Sequence, residues 1–148
     1  MYRHILIATD GSELADKGLE HGFALAQALG AKVTILSVTE PISWRVRQAA
    51  LNAGVEDPAG RYDQTINEEM KTQFASIRQR AKEKGVVAEL MHEVDEHPAE
   101  AIVRLAAREN YDLIVMSSHG RRGIRRFILG SQTAEVVAHT TIPVLVIR

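Results

Sequence analysis

The chain has 148 residues, 45% of them hydrophobic and 25% charged, and no cysteine. Its 18 lysines and arginines against 19 aspartates and glutamates leave a formal charge of −1, so no global basic field gathers nucleic acid or an anionic membrane. The length suits one domain that buries roughly 70% of its unfolded surface, and the missing thiols exclude disulfides, thiolate zinc sites and a cysteine nucleophile.

Near the N-terminus only residues 5–8 are apolar in a row, too few for the core of a signal peptide. No run approaches the ~20 apolar residues of a membrane span. The expectation is a soluble cytoplasmic protein, with no membrane partner.

In chain order, residues 4–9 (HILIAT) read as a strand buried on both faces, ended by Asp10 and Gly11. Ser12 caps a helix whose small and apolar stripe runs through positions 14, 15, 18, 19, 22, 23, 26 and 29, and Gly30 stops it. Residues 32–38 (KVTILSV) form the second strand. Residues 39–60 show no period and hold two prolines and two glycines, which predicts a long connection with room for a short helical piece near Trp44–Asn52. A long helix then carries Ile66, Met70, Phe74, Ile77 and Ala81 on one face, and Gly85 ends it. Residues 86–94 form the third strand. Pro98 opens a helix with Ala101, Ile102, Leu105 and Ala106 inward. Residues 112–117 form the fourth strand, 120–130 a glycine-bearing loop, Ser131–His139 a short helix and 143–147 (PVLVI) the fifth strand.

Continuous apolar strands alternating with amphipathic helices imply a parallel sheet covered on both faces. The predicted fold is a single-domain, doubly wound α/β domain over residues 1–148, Rossmann-like, with five strands in the order 3-2-1-4-5. In such sheets ligands bind outside the carboxyl ends of the strands where the order reverses, here between the first and fourth strands. Asp10 ends the first strand, and Ser117-Ser118-His119-Gly120 ends the fourth.

Residues 117–133 (SSHGRRGIRRFILGSQT) are the informative segment. Gly130 and Ser131 open a helix, and backbone N–H groups there, with the Ser131 and Thr133 hydroxyls beside them, suit phosphate oxygens. A turn at Gly130 and an N-cap at Ser131 explain the same residues structurally, and the two roles are compatible.

At this point the chain resembles the universal stress protein family across nearly its whole length. The family's ATP-binding branch carries G-x2-G-x9-G-[S/T], and the frame falls here on Ser117, Gly120, Gly130 and Ser131, with nine residues between the two glycines. The segments ATDGS, HPAEAI, YDLIVMSSHG, LGSQTAEVV and IPVLVI agree with it. The resemblance implies an adenine-nucleotide-binding fold of the adenine nucleotide alpha hydrolase type with ATP in the crevice, and Mg²⁺ or Mn²⁺ with its phosphates. It places Ala8, Thr9 and Asp10 near adenine and ribose, with Asp10 accepting from ribose hydroxyls. Val38 meets the adenine edge through its backbone, and Met116 and Ser117 line the floor. Gly120, Gly130, Ser131, Gln132 and Thr133 hold phosphates. Asp10 also reads as a loop acid that fixes the turn into the first helix.

Two positions depart from the pattern. Its first glycine is Ser117, which costs about 1–2 kcal/mol if the backbone there is left-handed. Glu96 stands where relatives often have glycine, and a lone glutamate defaults to solvent.

Arg121, Arg122, Arg125 and Arg126 crowd six residues. They read as a cationic flap over polyphosphate, as a patch for an acidic partner, or as a solvated loop. Nucleic acid fits least, because no aromatic residues interleave. The histidines at 4, 21, 92, 97, 119 and 139 have no metal-ligand spacing. His119 is placed to touch phosphate or to shape the loop, and Trp44 to cover the nucleotide or to meet a second copy. The fifth strand is a wholly apolar edge, and a homodimer through Val144–Ile147 covers it, as the resemblance also implies. The leading reading is a nucleotide-dependent stress-response regulator with an unidentified protein partner. The alternatives are a slow ATPase, for which the loop offers no Walker lysine, and a nucleotide-free dimeric scaffold.

Overall fold

The computed structural model describes residues 1–119 and 129–148. The elements run β1 (His4–Ala8), α1 (Glu13–Leu29), β2 (Lys32–Thr39), α2 (Trp44–Asn52), α3 (Pro58–Glu83), β3 (Ala88–Val94), α4 (Pro98–Arg108), β4 (Leu113–Ser117), α5 (Ser131–His139) and β5 (Val144–Ile147). The strands form one parallel sheet in the order β3-β2-β1-β4-β5, as expected.

Alternation along each strand explains the continuous apolar runs. Ile5 and Ile7 join Val33, Ile35 and Val115 under Leu19 and Phe23 of α1 and Ile77 and Ala81 of α3. Leu6, Leu36, Ile114 and Met116 face the other way, under Ile102 and Leu105 of α4 and Val136 of α5. Both faces are dry, so every position of β1 and β4 needs an apolar residue until the strand ends.

Gly22 sits where α1 crosses Ile7. A Cβ there would overlap the Ile7 Cδ1 and reach 3.0 Å from its Cγ1, so the bare backbone sets how closely helix meets sheet. Arg80 of α3 bridges Asp16 at 3.0 Å and Glu20 at 2.8 Å on α1, and Lys84 adds a 2.9 Å contact to Glu20. Hydrogen bonds from Arg80 and Lys84 hold the Glu20 carboxyl below its usual range.

Besides one-residue shifts at the ends of β2, β4 and β5, the chain differs from the sequence expectation in three places. First, α3 already starts at Pro58, inside the 39–60 connection, whose short helical piece is α2 at Trp44–Asn52, as expected. No period was visible because α2 buries no residue and α3 turns few inward before Met70. Asp57 starts α3 from a left-handed conformation (φ 45°), accepting from the Gly60 N–H, with Pro58 in the first turn. Second, β1 stops at Ala8, although the Thr9 N–H still donates to the Leu36 carbonyl at 2.9 Å. Third, β3 starts at Ala88, because the Val86 N–H is still spent on the Ala81 carbonyl as the chain leaves α3 through left-handed Gly85.

Candidate functional site

Asp10 leaves β1 and immediately turns the chain. Its Oδ1 accepts from the Ser12 N–H at 2.9 Å, and the Ser12 Oγ accepts from the Ala15 N–H at 3.1 Å as the cap of α1. Thr9 is buried, and its Oγ1 accepts from the Gly11 N–H. Side-chain acceptors on Thr9, Asp10 and Ser12 thus fix the β1–α1 turn, and Asp10 is held half-buried within it.

The end of β4 is tied still more tightly. β1 pairs β4 with Ile7 opposite Val115; carried on, that register sets Ala8 level with Met116 and Thr9 level with Ser117. Ser117 and Ser118 are both buried, at 7% and 4% exposure. The Ser117 hydroxyl donates to the His119 carbonyl at 2.8 Å. The Ser118 N–H donates to the Ile147 carbonyl at 2.7 Å, and its own carbonyl accepts from the Gly130 N–H at 2.6 Å. Ser118 Oγ lies 3.0 Å from His119 Nδ1. Thr133, buried inside the first turn of α5, donates its hydroxyl to the Ser117 carbonyl at 2.7 Å. The start of α5 is therefore pinned to the end of β4.

The Ser117 backbone is not left-handed; among the described residues other than glycine, only Asp57 and Asn110 have positive φ. The serine costs nothing there, because the residue still belongs to β4. Glu96 is exposed. Gly130 is the N-cap of α5, with φ −59° and ψ 154° and no side-chain cap bond. Ser131 is exposed at the first position of the helix, while the Oε1 of Gln132 accepts from the Ala99 N–H of α4 at 3.0 Å. Val38 lies at the end of β2, half-buried beside Thr39, whose hydroxyl meets His92 Nε2 at 2.7 Å. Burial lowers the His92 pKa. Gly120 and Arg121, with Arg122, Arg125 and Arg126, lie outside the described residues.

The fold thus gathers Thr9, Asp10, Met116, Ser117, His119, Gly130, Ser131 and Thr133 at the carboxyl ends of β1 and β4, with Ala8 and Val38 beside them. Sequence reasoning missed Ser118, whose backbone joins β5, β4 and α5. Its signal was a polar residue directly after an apolar strand, and a serine pair offers no means of ranking its two members. Among the described residues no three His, Asp or Glu side chains gather as a metal site, and no helix is long and apolar enough to cross a membrane.

The sequence model of the universal stress protein family matches residues 1–148. The chain belongs to the universal stress protein family. A universal stress protein of Methanocaldococcus jannaschii is 31% identical over 156 aligned positions, covering 100% of this chain and 96% of that one. YxiE of Bacillus subtilis is 32% identical, with both chains covered in full. The solved structure of the M. jannaschii protein superposes with a TM-score of 0.81 at 29% identity, over 99% of this chain and 96% of that one. The same universal stress protein fold recurs at 23% identity and a TM-score of 0.67 in an Archaeoglobus fulgidus protein solved in complex with dAMP, over 99% of this chain and 98% of that one. At 24% identity and a TM-score of 0.70 it recurs in a universal stress protein solved with cAMP.

Proposed function

We propose that this universal stress protein binds an adenine nucleotide, ATP foremost, at the ends of β1 and β4, and serves as a nucleotide-dependent regulator of the stress response in the cytoplasm. The observation that carries the reading is the pairing of β1 with β4, which brings Asp10, just past β1, to the same edge of the sheet as the first turn of α5, itself bonded to the end of β4. The carboxylate suits the two hydroxyls of a ribose, and the first-turn amides of α5 suit phosphate oxygens. Complexes of fold relatives with cAMP and dAMP support the adenylate class.

In this reading Ala8, Thr9 and Met116 line the base and sugar, and the Val38 backbone meets the adenine edge. Ser131, Gln132 and Thr133 present their amides to phosphate beside Gly130, whose own N–H is spent on the Ser118 carbonyl, and His119, Gly120 and Arg121 complete the proposed set. Mg²⁺ or Mn²⁺ accompanies the phosphates of a triphosphate. The Ser117 and Thr133 hydroxyls donate to backbone carbonyls, so what they offer a ligand is lone pairs, which suit ribose hydroxyls, while phosphate oxygens are left to the amides at the start of α5.

The direct test is to denature protein purified without added nucleotide and to quantify released adenylate by chromatography with mass detection. About one adenylate per chain is expected. Should the site empty during purification, Mg·ATP at a hundred times its Kd stabilises the fold by about 2.7 kcal/mol, a rise of several degrees in Tm. No adenylate and no thermal shift at millimolar Mg·ATP would overturn the reading.

The same proposal includes a homodimer through β5. Leu129, Val137, Ile142, Val144 and Val146 line a recess of about 470 Å³ along that edge, with Thr140 and Arg148 beside them, and Leu145 is exposed. Val146→Lys places a charge in this recess and is expected to give monomers in light scattering coupled to size exclusion. A Val146→Lys dimer of unchanged stability would exclude this interface.

A further inference from the structure

The N-terminus of α4 has no side-chain cap of its own. His97 occupies the N-cap position with φ −124° and ψ 81° and makes no side-chain cap bond, and Pro98 has no amide hydrogen to offer. The next donor, the Ala99 N–H, is taken by the side chain of Gln132, 33 residues further along. Asp95 shapes the approach: its Oδ1 accepts from the His97 N–H at 2.8 Å and its Oδ2 from Arg104 at 3.0 Å. Those two bonds keep the Asp95 carboxyl below its usual pKa, the His97 amide contributing most. They orient the turn but leave the Ala99 amide to Gln132.

Gln132 is the second residue of α5. Gly130 before it and Thr133 after it are both bonded to the end of β4. The first turn of α5 is thus held from two sides: by the backbone of Ser117 and Ser118, and through Gln132 by the open end of α4. Successive side chains on a helix lie about 100° apart, so Gln132 reaches α4 while Thr133 points to β4.

We propose that Gln132 is a positioning residue for the anion-binding turn of α5: its side chain caps α4 and thereby fixes the direction of the Ser131–Thr133 amides, while the amide group itself does not touch the nucleotide. This role rests on the adenylate reading above. It adds that the phosphate part of the site is set by a bond to a second helix, so affinity for the phosphates and order at the start of α4 rise and fall together. Gln132 is exposed, so substitutions there leave both hydrophobic clusters intact.

Gln132→Ala and Gln132→Glu separate positioning from contact. Glutamate keeps an acceptor for the Ala99 N–H and adds negative charge at the N-terminus of α4, which the helix dipole favours. A glutamate pressed against phosphate would repel it. Binding of ATP and of adenosine is measured by calorimetry for the wild type and both variants, with amide exchange at Ala99 followed by NMR. The expected result is about a three- to tenfold loss of ATP affinity in Gln132→Ala with adenosine affinity unchanged, faster exchange at Ala99, and recovery of both by Gln132→Glu. ATP affinity lower in Gln132→Glu than in Gln132→Ala would overturn the proposal in favour of direct phosphate contact. Unchanged ATP affinity in Gln132→Ala, or equal losses for ATP and adenosine, would overturn it too. A wild-type chain that binds neither ligand would instead overturn the adenylate reading, and the positioning role with it.

Discussion

Phe23→Ala is expected to lower the free energy of unfolding by about 3–5 kcal/mol. Phe23 heads the fully buried side chains by volume and lies in the cluster shared by α1, α3 and the sheet. The cost should fall at the high end because the cavity cannot collapse. Helix α1 is fixed at its start by the Ser12 cap and at its end by left-handed Gly30. Its contact with Ile7 is already set by the bare backbone of Gly22, and the ion pairs of Arg80 and Lys84 tie it to α3. With total stabilities of about 5–15 kcal/mol in domains of this kind, one truncation removes a large share. Urea unfolding followed by circular dichroism measures it. A loss below about 1 kcal/mol would show that α1 slides to fill the space. The native fraction of Phe23→Ala should bind adenylate as the parent does, because no residue of the crevice has changed.

The second large effect is expected at Asp10. Asp10→Ala removes a carboxylate that accepts ribose hydroxyls in the proposed complex, and charge-assisted bonds of this kind contribute about 1.5–3 kcal/mol, which corresponds to about 10- to 100-fold in affinity. The same substitution removes the acceptor of the Ser12 N–H and so loosens the turn into α1. The two effects are separable. Asp10→Asn keeps an Oδ1 acceptor for Ser12 and restores the turn, but it has no charge to offer the ribose. Calorimetric titration with ATP should therefore rank the chains parent, Asp10→Asn, Asp10→Ala, while their unfolding midpoints place Asp10→Asn beside the parent. Equal affinity in all three would leave Asp10 only its role in the turn.

The residues of the proposed site divide between structure and ligand. Ser117 and Thr133 both donate their hydroxyl hydrogens to backbone carbonyls. Neither is a free hydroxyl waiting for phosphate; each first holds the loop in place. What they leave for a ligand is lone pairs and, in the case of α5, the amides of a helix start. Asp10 shows the same double use, since fixing the turn is also what aims its carboxylate. In the proposed complex the structural and binding roles of such a residue are the same geometry used twice.

Much of the fold was legible in the residues. Strands at 4–8 and 113–117 announce themselves because both their faces are covered, so their apolar runs are nearly unbroken, while 32–39 and the edge strand 144–147 are marked by their aliphatic and β-branched residues. The ends of α1 carry local chemistry, a serine cap and a left-handed glycine, that reads directly. The candidate site followed from topology, since a 3-2-1-4-5 order places the ends of β1 and β4 together whatever the side chains do. Helix α2, expected only as a short piece, and the first half of α3 gave weaker signals for the opposite reason. They are exposed, so no period marks them, and only the Ser43 and Asp57 caps betray their starts.

The sequence by itself determined the alternation of elements, the parallel sheet and the position of its switch point, because burial on two faces and local capping act over a few residues. It also held the family, through the spacing of Ser117, Gly120, Gly130 and Ser131. Only the tertiary structure decided where the polar groups of those segments are spent. That Ser117 needs no left-handed backbone, that Ser118 joins β5 to α5, and that Gln132 caps a helix 33 residues before it are facts of long-range hydrogen bonding. No local pattern records them, because a donor and its acceptor far apart in the chain meet only when the sheet and its helices have closed around them.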